Sequence, residues 1–172
     1  MVYRRNHQIR DGLSRAICDA MGVDPMIHLF GEAAEVKQHY DAPYILEKYP
    51  ERVHTMPICE DGILNFAVGA ALLGCKPVVD LCGSDFLLRA MDSICNTAAP
   101  INRLRPGQPE ATIVIRSEFF HSPRLDWLFR DIANIRVMVP QDAGEAYKLM
   151  IRALNSPGLT LIFEDREIPD VA

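Results

Sequence analysis

Two glutamates, a phenylalanine and a histidine stand where they could do chemistry: Glu32, Glu60, Phe86 and His121. A carboxyl or an imidazole can hold and pass a proton, and an aromatic ring can pack flat against a heterocycle. Each sits in a short stretch with turn or helix-start character: Gly31-Glu32, Pro57-Ile58-Cys59-Glu60, Gly83-Ser84-Asp85-Phe86, and His121 itself. A plainer role is open to each. Glu60 at a helix start would complement the helix dipole for ~0.3–1 kcal/mol. Phe86 could be a core aromatic, and His121 a surface loop residue. The five cysteines (Cys18, Cys59, Cys75, Cys82, Cys95) form no C-x-x-C pair and have no His at zinc spacing, so no metal site is expected. They read as reduced, mostly buried small side chains, with a catalytic thiol as the alternative. No G-x-G-x-x-G opens a helix, and neither G-x-x-x-x-G-K-[ST] nor G-x-S-x-G occurs. The chain therefore carries no evident phosphate-binding loop of its own.

These residues need elements to bring them together. Continuously apolar runs at Met26 to Phe30, Pro77 to Leu81, Thr112 to Arg116, Arg136 to Val139 and Leu159 to Glu164 predict strands buried on both faces. Val53 and His54 suggest a short further one. Helical patterns fill the intervals near Gln8 to Met21, Asp61 to Leu73, Asp85 to Ala98 and Asp142 to Leu154, with Asp142 as an N-cap. The alternation predicts an α/β fold: a doubly wound, three-layer, mainly parallel sheet with helices on both faces, in one domain spanning 1–172. Ligands of such sheets collect at the strands' carboxyl ends, where the four stretches above should meet. Helix Asp61 to Leu73 is apolar on every side and so must be buried, either centrally in the domain or against a partner subunit. Gly62 and Gly69 leave room for close packing, and Gly74 is a C-cap. Pro106, Gly107 and Pro109 mark a loop between Ala98 and Ala111, expected to be the most mobile connection.

Composition excludes several functions. The 172 residues are 49% apolar and 24% charged, which rules out disorder. Lys+Arg 18 against Asp+Glu 23 leaves a net charge of −5, the wrong sign for general binding to nucleic acid or anionic lipid. Ile63 to Leu73 is about half the ~20 residues of a membrane span. The start carries no secretory pattern, so a cytoplasmic protein is expected.

Val53-His54-Thr55-Met56-Pro57-Ile58-Cys59-Glu60, then Gly62, Ala67-Val68-Gly69-Ala70-Ala71, Gly74 and Pro77-Val78-Val79-Asp80, resembles the pyrimidine-binding domain of thiamine-diphosphate enzymes. It is most similar to the β subunit of 2-oxo acid dehydrogenase E1 components, here without that subunit's usual C-terminal domain. The likeness starts at Leu29-Phe30-Gly31-Glu32, runs through Phe86, Ala90, Met91-Asp92, Ile94 and Asn96, and resumes at His121-Ser122, Leu125, Trp127 and Ile135 to Pro140.

The resemblance implies the thiamine-diphosphate-binding fold and a set of roles. Glu60 occupies the place of the glutamate that shares a proton with N1′ of the cofactor's aminopyrimidine. A carboxyl in an apolar pocket suits that exchange. Phe86 packs against the same ring, with Ile58 beside it, and Glu32 and His121 face the substrate side. The implied activity is decarboxylation of a 2-oxo acid and transfer of the resulting unit. It requires an α-type partner, in an α2β2 assembly, that holds the diphosphate and Mg²⁺ through a G-D-G motif this chain lacks. Two alternatives stand beside it: a split transketolase-like carboligase acting on ketoses, and a non-catalytic α/β partner or regulatory module.

Overall fold

The computed structural model describes residues 7–32, 43–119 and 124–165. Six strands form one sheet in the order β2-β1-β3-β4-β6-β5. They are β1 (Ile27–Glu32), β2 (Val53–Met56), β3 (Lys76–Gly83), β4 (Thr112–Glu118), β5 (Ile135–Met138) and β6 (Gly158–Glu164). Every pairing between them is parallel. The short apolar run at Val53 is thus a full edge strand.

Alternate strand residues feed two cores. Val79, Leu81, Ile113, Ile115, Leu159, Leu161 and Phe163 point to one face, where α3 (Glu60–Leu72) and α4 (Trp127–Arg130) pack. Val78, Val114 and Ile162 point to the other, under α1 (His7–Val23) and α5 (Ala143–Leu154), with the short α2 (Pro43–Lys48) against α1. Both faces are covered, which is why the strands read as unbroken apolar runs. Asp142 caps α5 as its position suggests: its carboxylate accepts the Glu145 amide at 2.8 Å, and the Glu145 carboxylate accepts the Gln141 amide at 2.7 Å. Where α1 meets α5, a Cβ on Gly12 would lie 2.3 Å from the Ala143 carbonyl oxygen, so the two backbones touch.

Three expectations are corrected, and a fourth is narrowed to one of its alternatives. The stretch Asp85 to Ala98 is not one α-helix but a 3₁₀ segment, Ser84–Ala90, followed by π-helical turns at Ser93–Ala98. The buried residues Leu87, Ala90, Ile94 and Ala98 keep a helical average spacing, so periodicity alone does not separate the tight half from the wide one. Helix α3 is not buried centrally but half covered within this chain, which leaves the partner alternative: Ile63, Leu64, Ala67, Val68 and Ala71 are buried, while Phe66, Leu72 and Leu73 are exposed. Of the cysteines, Cys18 alone is buried and Cys59 is exposed, though all five are free thiols. The connection from Ala98 to Ala111 is anchored, since the Asn102 side chain donates to the Ala111 carbonyl at 2.9 Å and accepts its amide at 2.8 Å. No helix among the described residues is long and apolar enough to cross a membrane.

Candidate active site

The chain leaves β1 for β2 on one side and leaves β3 for β4 on the other. Loops therefore diverge between the carboxyl ends of β1 and β3, and such a switch point is where doubly wound sheets hold ligands. Glu32 ends β1, half-buried, with Met56 of β2 as its register partner. Pro57 to Cys59 turn the chain from β2 into α3, and Glu60 is that helix's first residue. Ser84 and Phe86 follow β3 directly in the 3₁₀ segment. Glu32, Ile58, Glu60 and Phe86 thus line one rim of the sheet. His121 lies outside the described residues.

Glu60 is the buried member of this group. Its side chain is 7% exposed, and Oε2 accepts from Arg89 Nε at 3.0 Å. Arg89 itself is 71% exposed. The second carboxylate oxygen, Oε1, meets no donor among the described residues. Ile58, two residues earlier, is exposed, and Phe86 is half-buried, so the rim that carries this carboxyl also presents apolar side chains. Sequence reading missed Arg89. Its role depends on the 3₁₀ geometry of Ser84–Ala90, which the sequence spacing does not reveal. The first turn of α3 is fixed by a second link: Asn65 donates to Ser93 Oγ at 2.7 Å, and Ser93 donates to the Asp61 carboxylate. Among the described residues one hydroxyl here meets no hydrogen-bond partner: Ser84 Oγ, which is fully buried.

Beneath the rim lies a charged cluster. Arg116, 2% exposed, donates from Nε to Glu164 at 2.8 Å and faces Asp80 Oδ2 at 3.5 Å. Arg10 reaches in from α1, pairing with Glu118 and lying 3.7 Å from Glu164. Three carboxylates therefore face two guanidiniums. Burial is the largest influence on Asp80 and pushes its carboxyl up to about 6, against the pull of Arg116. Because the folded value exceeds the unfolded 3.8, the folded state holds this proton more tightly. Asp80's contribution is thus fully favourable below pH 3.8 and falls away as pH rises towards 6, by an amount on the order of 1–3 kcal/mol. Asp80→Asn removes this loss. Urea unfolding of both proteins from pH 4 to pH 7 should show the wild type losing stability relative to the variant across that window. Parallel profiles would mean that Asp80 keeps no proton.

Beside the outer face of α3 runs a groove of about 750 Å³ lined by Phe30, His54, Met56, Phe66, Gly69 and Leu73. His28 Nδ1 and His54 Nε2 lie 2.9 Å apart at its edge, and burial holds both imidazoles below their usual range. Burial thus disfavours a charge on either ring. Among the described residues no cluster of three His, Cys, Asp or Glu could hold a metal ion.

A doubly wound parallel sheet with a buried glutamate opening the helix beside its switch point defines a class, the transketolase-like α/β fold. Within it, the chain matches the family model described as transketolase, pyrimidine binding domain, over residues 5–169, and it belongs to that family. It is 35% identical over 170 residues to the mitochondrial pyruvate dehydrogenase E1 component subunit beta-1 of Arabidopsis thaliana, covering 91% of this chain and 46% of that protein. The corresponding subunit beta of Rickettsia bellii is 32% identical over 171 residues, covering 93% and 52%. The chain thus spans about half the length of the curated relatives it matches. Among solved structures, a split-gene transketolase in an inactive β4 tetramer superposes with a TM-score of 0.76 at 21% identity, over 92% of this chain and 51% of that one. A 2-oxoglutarate:ferredoxin oxidoreductase from Magnetococcus marinus gives 0.65 at 13% identity, over 94% and 29%. These last two speak for the fold alone.

Proposed function

We propose that this chain is the cofactor-activating, pyrimidine-binding unit of a two-component thiamine-diphosphate enzyme that decarboxylates a 2-oxo acid. The observation that carries the reading is Glu60: a buried carboxyl with one open oxygen, at the switch-point rim that Ile58 and Phe86 also line. That arrangement fits an aminopyrimidine, which needs an acid on its ring nitrogen and apolar surface on its faces. The chemistry supplied by bound thiamine diphosphate is an electron sink for the carbon left when a 2-oxo acid loses carbon dioxide. Glu60 holds the proton shared with N1′, and the carboxyl terminus of β2 and the first turn of α3 keep it aimed. Phe86 and Ile58 exclude water from the ring, and Glu32 offers a hydrogen bond at the substrate side, where His121 is the proton-transfer partner.

Residues 1–172 act in this reading as a single pyrimidine-binding unit. An α-type subunit supplies the diphosphate and Mg²⁺ site, since the chain has no motif for either, and α2β2 is the proposed assembly. The E1 subunits among the relatives support a 2-oxo acid over a ketose. Free thiols fit a reducing compartment such as the cytoplasm. Calorimetry with thiamine diphosphate and Mg²⁺ tests the division of labour. The purified chain alone should bind weakly or not at all, and the complex it purifies with should bind and release carbon dioxide from a 2-oxo acid. Micromolar, Mg²⁺-dependent binding by the isolated chain would overturn it.

A further inference from the structure

We propose that Asp80 is a positioning residue of the cofactor site, acting through a left-handed kink at Cys82; the proposal rests on the functional reading above. Cys82 has φ 57°, a conformation in which a non-glycine side chain crowds its own backbone, at a cost of roughly 1–2 kcal/mol, the equivalent of about 5–30-fold in a conformational equilibrium. Something must hold it there. Asp80 Oδ1 accepts the Cys82 amide at 2.9 Å, and Ser117 on β4 donates to the Cys82 carbonyl at 2.9 Å. The β3–β4 register shifts between Asp80↔Arg116 and Gly83↔Glu118, so the kink is a β-bulge at which β3 carries one residue more than its neighbour before pairing resumes. The next residues, Ser84–Ala90, carry Phe86 and the Arg89 that reaches Glu60.

Asp80 is itself clamped. A Cβ on Gly31 of β1 would lie 3.1 Å from the Asp80 carbonyl oxygen and 3.2 Å from its Cβ, so β1 closes on it from one side. Arg116 meets Oδ2 from the other, with Glu164 and Arg10 behind it. One carboxylate thus has two separable duties: Oδ2 joins the buried cluster, and Oδ1 holds the kink. The first duty concerns charge. The second concerns an acceptor atom and sets the direction of the 3₁₀ segment.

The two duties come apart by substitution. Asp80→Asn removes the charge and keeps an oxygen for the Cys82 amide. Asp80→Ala removes both. Cys82→Gly adopts the left-handed conformation without help, because glycine populates it about as readily as its mirror. Amide hydrogen exchange is read by mass spectrometry on the peptide spanning Cys82 to Arg89, with a β6 peptide as the control. Asp80→Ala should speed exchange in the 82–89 peptide roughly tenfold, the size of one lost hydrogen bond. Asp80→Asn should leave it near wild type, and the Asp80→Ala/Cys82→Gly double variant should restore it. A residue important only to the buried cluster would behave otherwise: glycine at 82 would rescue nothing, and Asn would resemble Ala. Either result overturns the proposal. In the assembled enzyme, thiamine diphosphate affinity measured with Mg²⁺ should follow the same order, and affinity that ignores the exchange pattern also overturns it. A wild-type complex that binds no cofactor would sink the functional reading instead, leaving the exchange cycle to decide the kink by itself.

Discussion

Glu60→Gln should slow exchange of the C2 proton of thiamine diphosphate, in the assembled enzyme and deuterated buffer, by roughly 10³–10⁴-fold, the upper part of what general acid–base assistance supplies. Turnover should fall with it, because every later step waits on that proton. Glutamine keeps the shape and can still hydrogen-bond, but it cannot pass a proton to N1′. Fold and assembly should survive. Arg89, the partner of the carboxylate among the described residues, is 71% exposed, and an ion pair with so wet a member contributes little to stability. The competing account makes Glu60 a helix-terminus charge on α3. Under it, the same substitution costs ~0.3–1 kcal/mol of stability and leaves exchange and turnover nearly intact. Equal C2 exchange rates in wild type and variant would remove Glu60 from its catalytic role. Arg89→Gln serves as a companion, since it frees the carboxylate without changing it and should leave C2 exchange far above that of Glu60→Gln.

Much of the architecture was legible because burial leaves a simple trace. Val78-Val79, Ile113-Val114-Ile115 and Leu161-Ile162-Phe163 alternate between two cores, and no polar face interrupts them. The place of Glu60 at the start of α3 was legible for another reason: a charged residue opening an apolar helix is conspicuous in sequence. Arg89 was not, because its role depends on the 3₁₀ geometry of Ser84–Ala90, and a helical average spacing of buried residues hides that geometry. The charged cluster was equally hidden. Arg116 and Asp80 sit inside apolar runs, and only the β3–β4 register and the approach of α1 bring Asp80, Arg116, Glu164 and Arg10 together. Long-range pairing of this kind has no local signature.

Helix α3 gives the second large effect. A Cβ on Gly69 would meet nothing within 4 Å, whereas Phe66 and Leu73 on the same open side are 56% and 85% exposed. Within this chain, then, the glycine is a cost without a return: glycine in a helix interior is worse than alanine by about 0.8–1 kcal/mol, and leucine ranks next after alanine. A partner surface lying close against the helix would explain it. Gly69→Leu should therefore raise the unfolding free energy of the isolated chain by up to about 1 kcal/mol, measured in urea. The same variant should weaken association with the partner subunit by roughly 10–100-fold, since side chains forced into a close-packed contact cost about 1–3 kcal/mol and each 1.4 kcal/mol is a factor of ten. Both signs matter. A variant that is less stable alone would mean the helix face is already covered from within. One that is more stable alone and assembles normally, by sedimentation with the co-purified subunit, would mean the partner docks elsewhere and that the groove beside Phe66 is not its seat. Gain of stability with loss of assembly is the pairing that an interface predicts and a merely exposed helix does not.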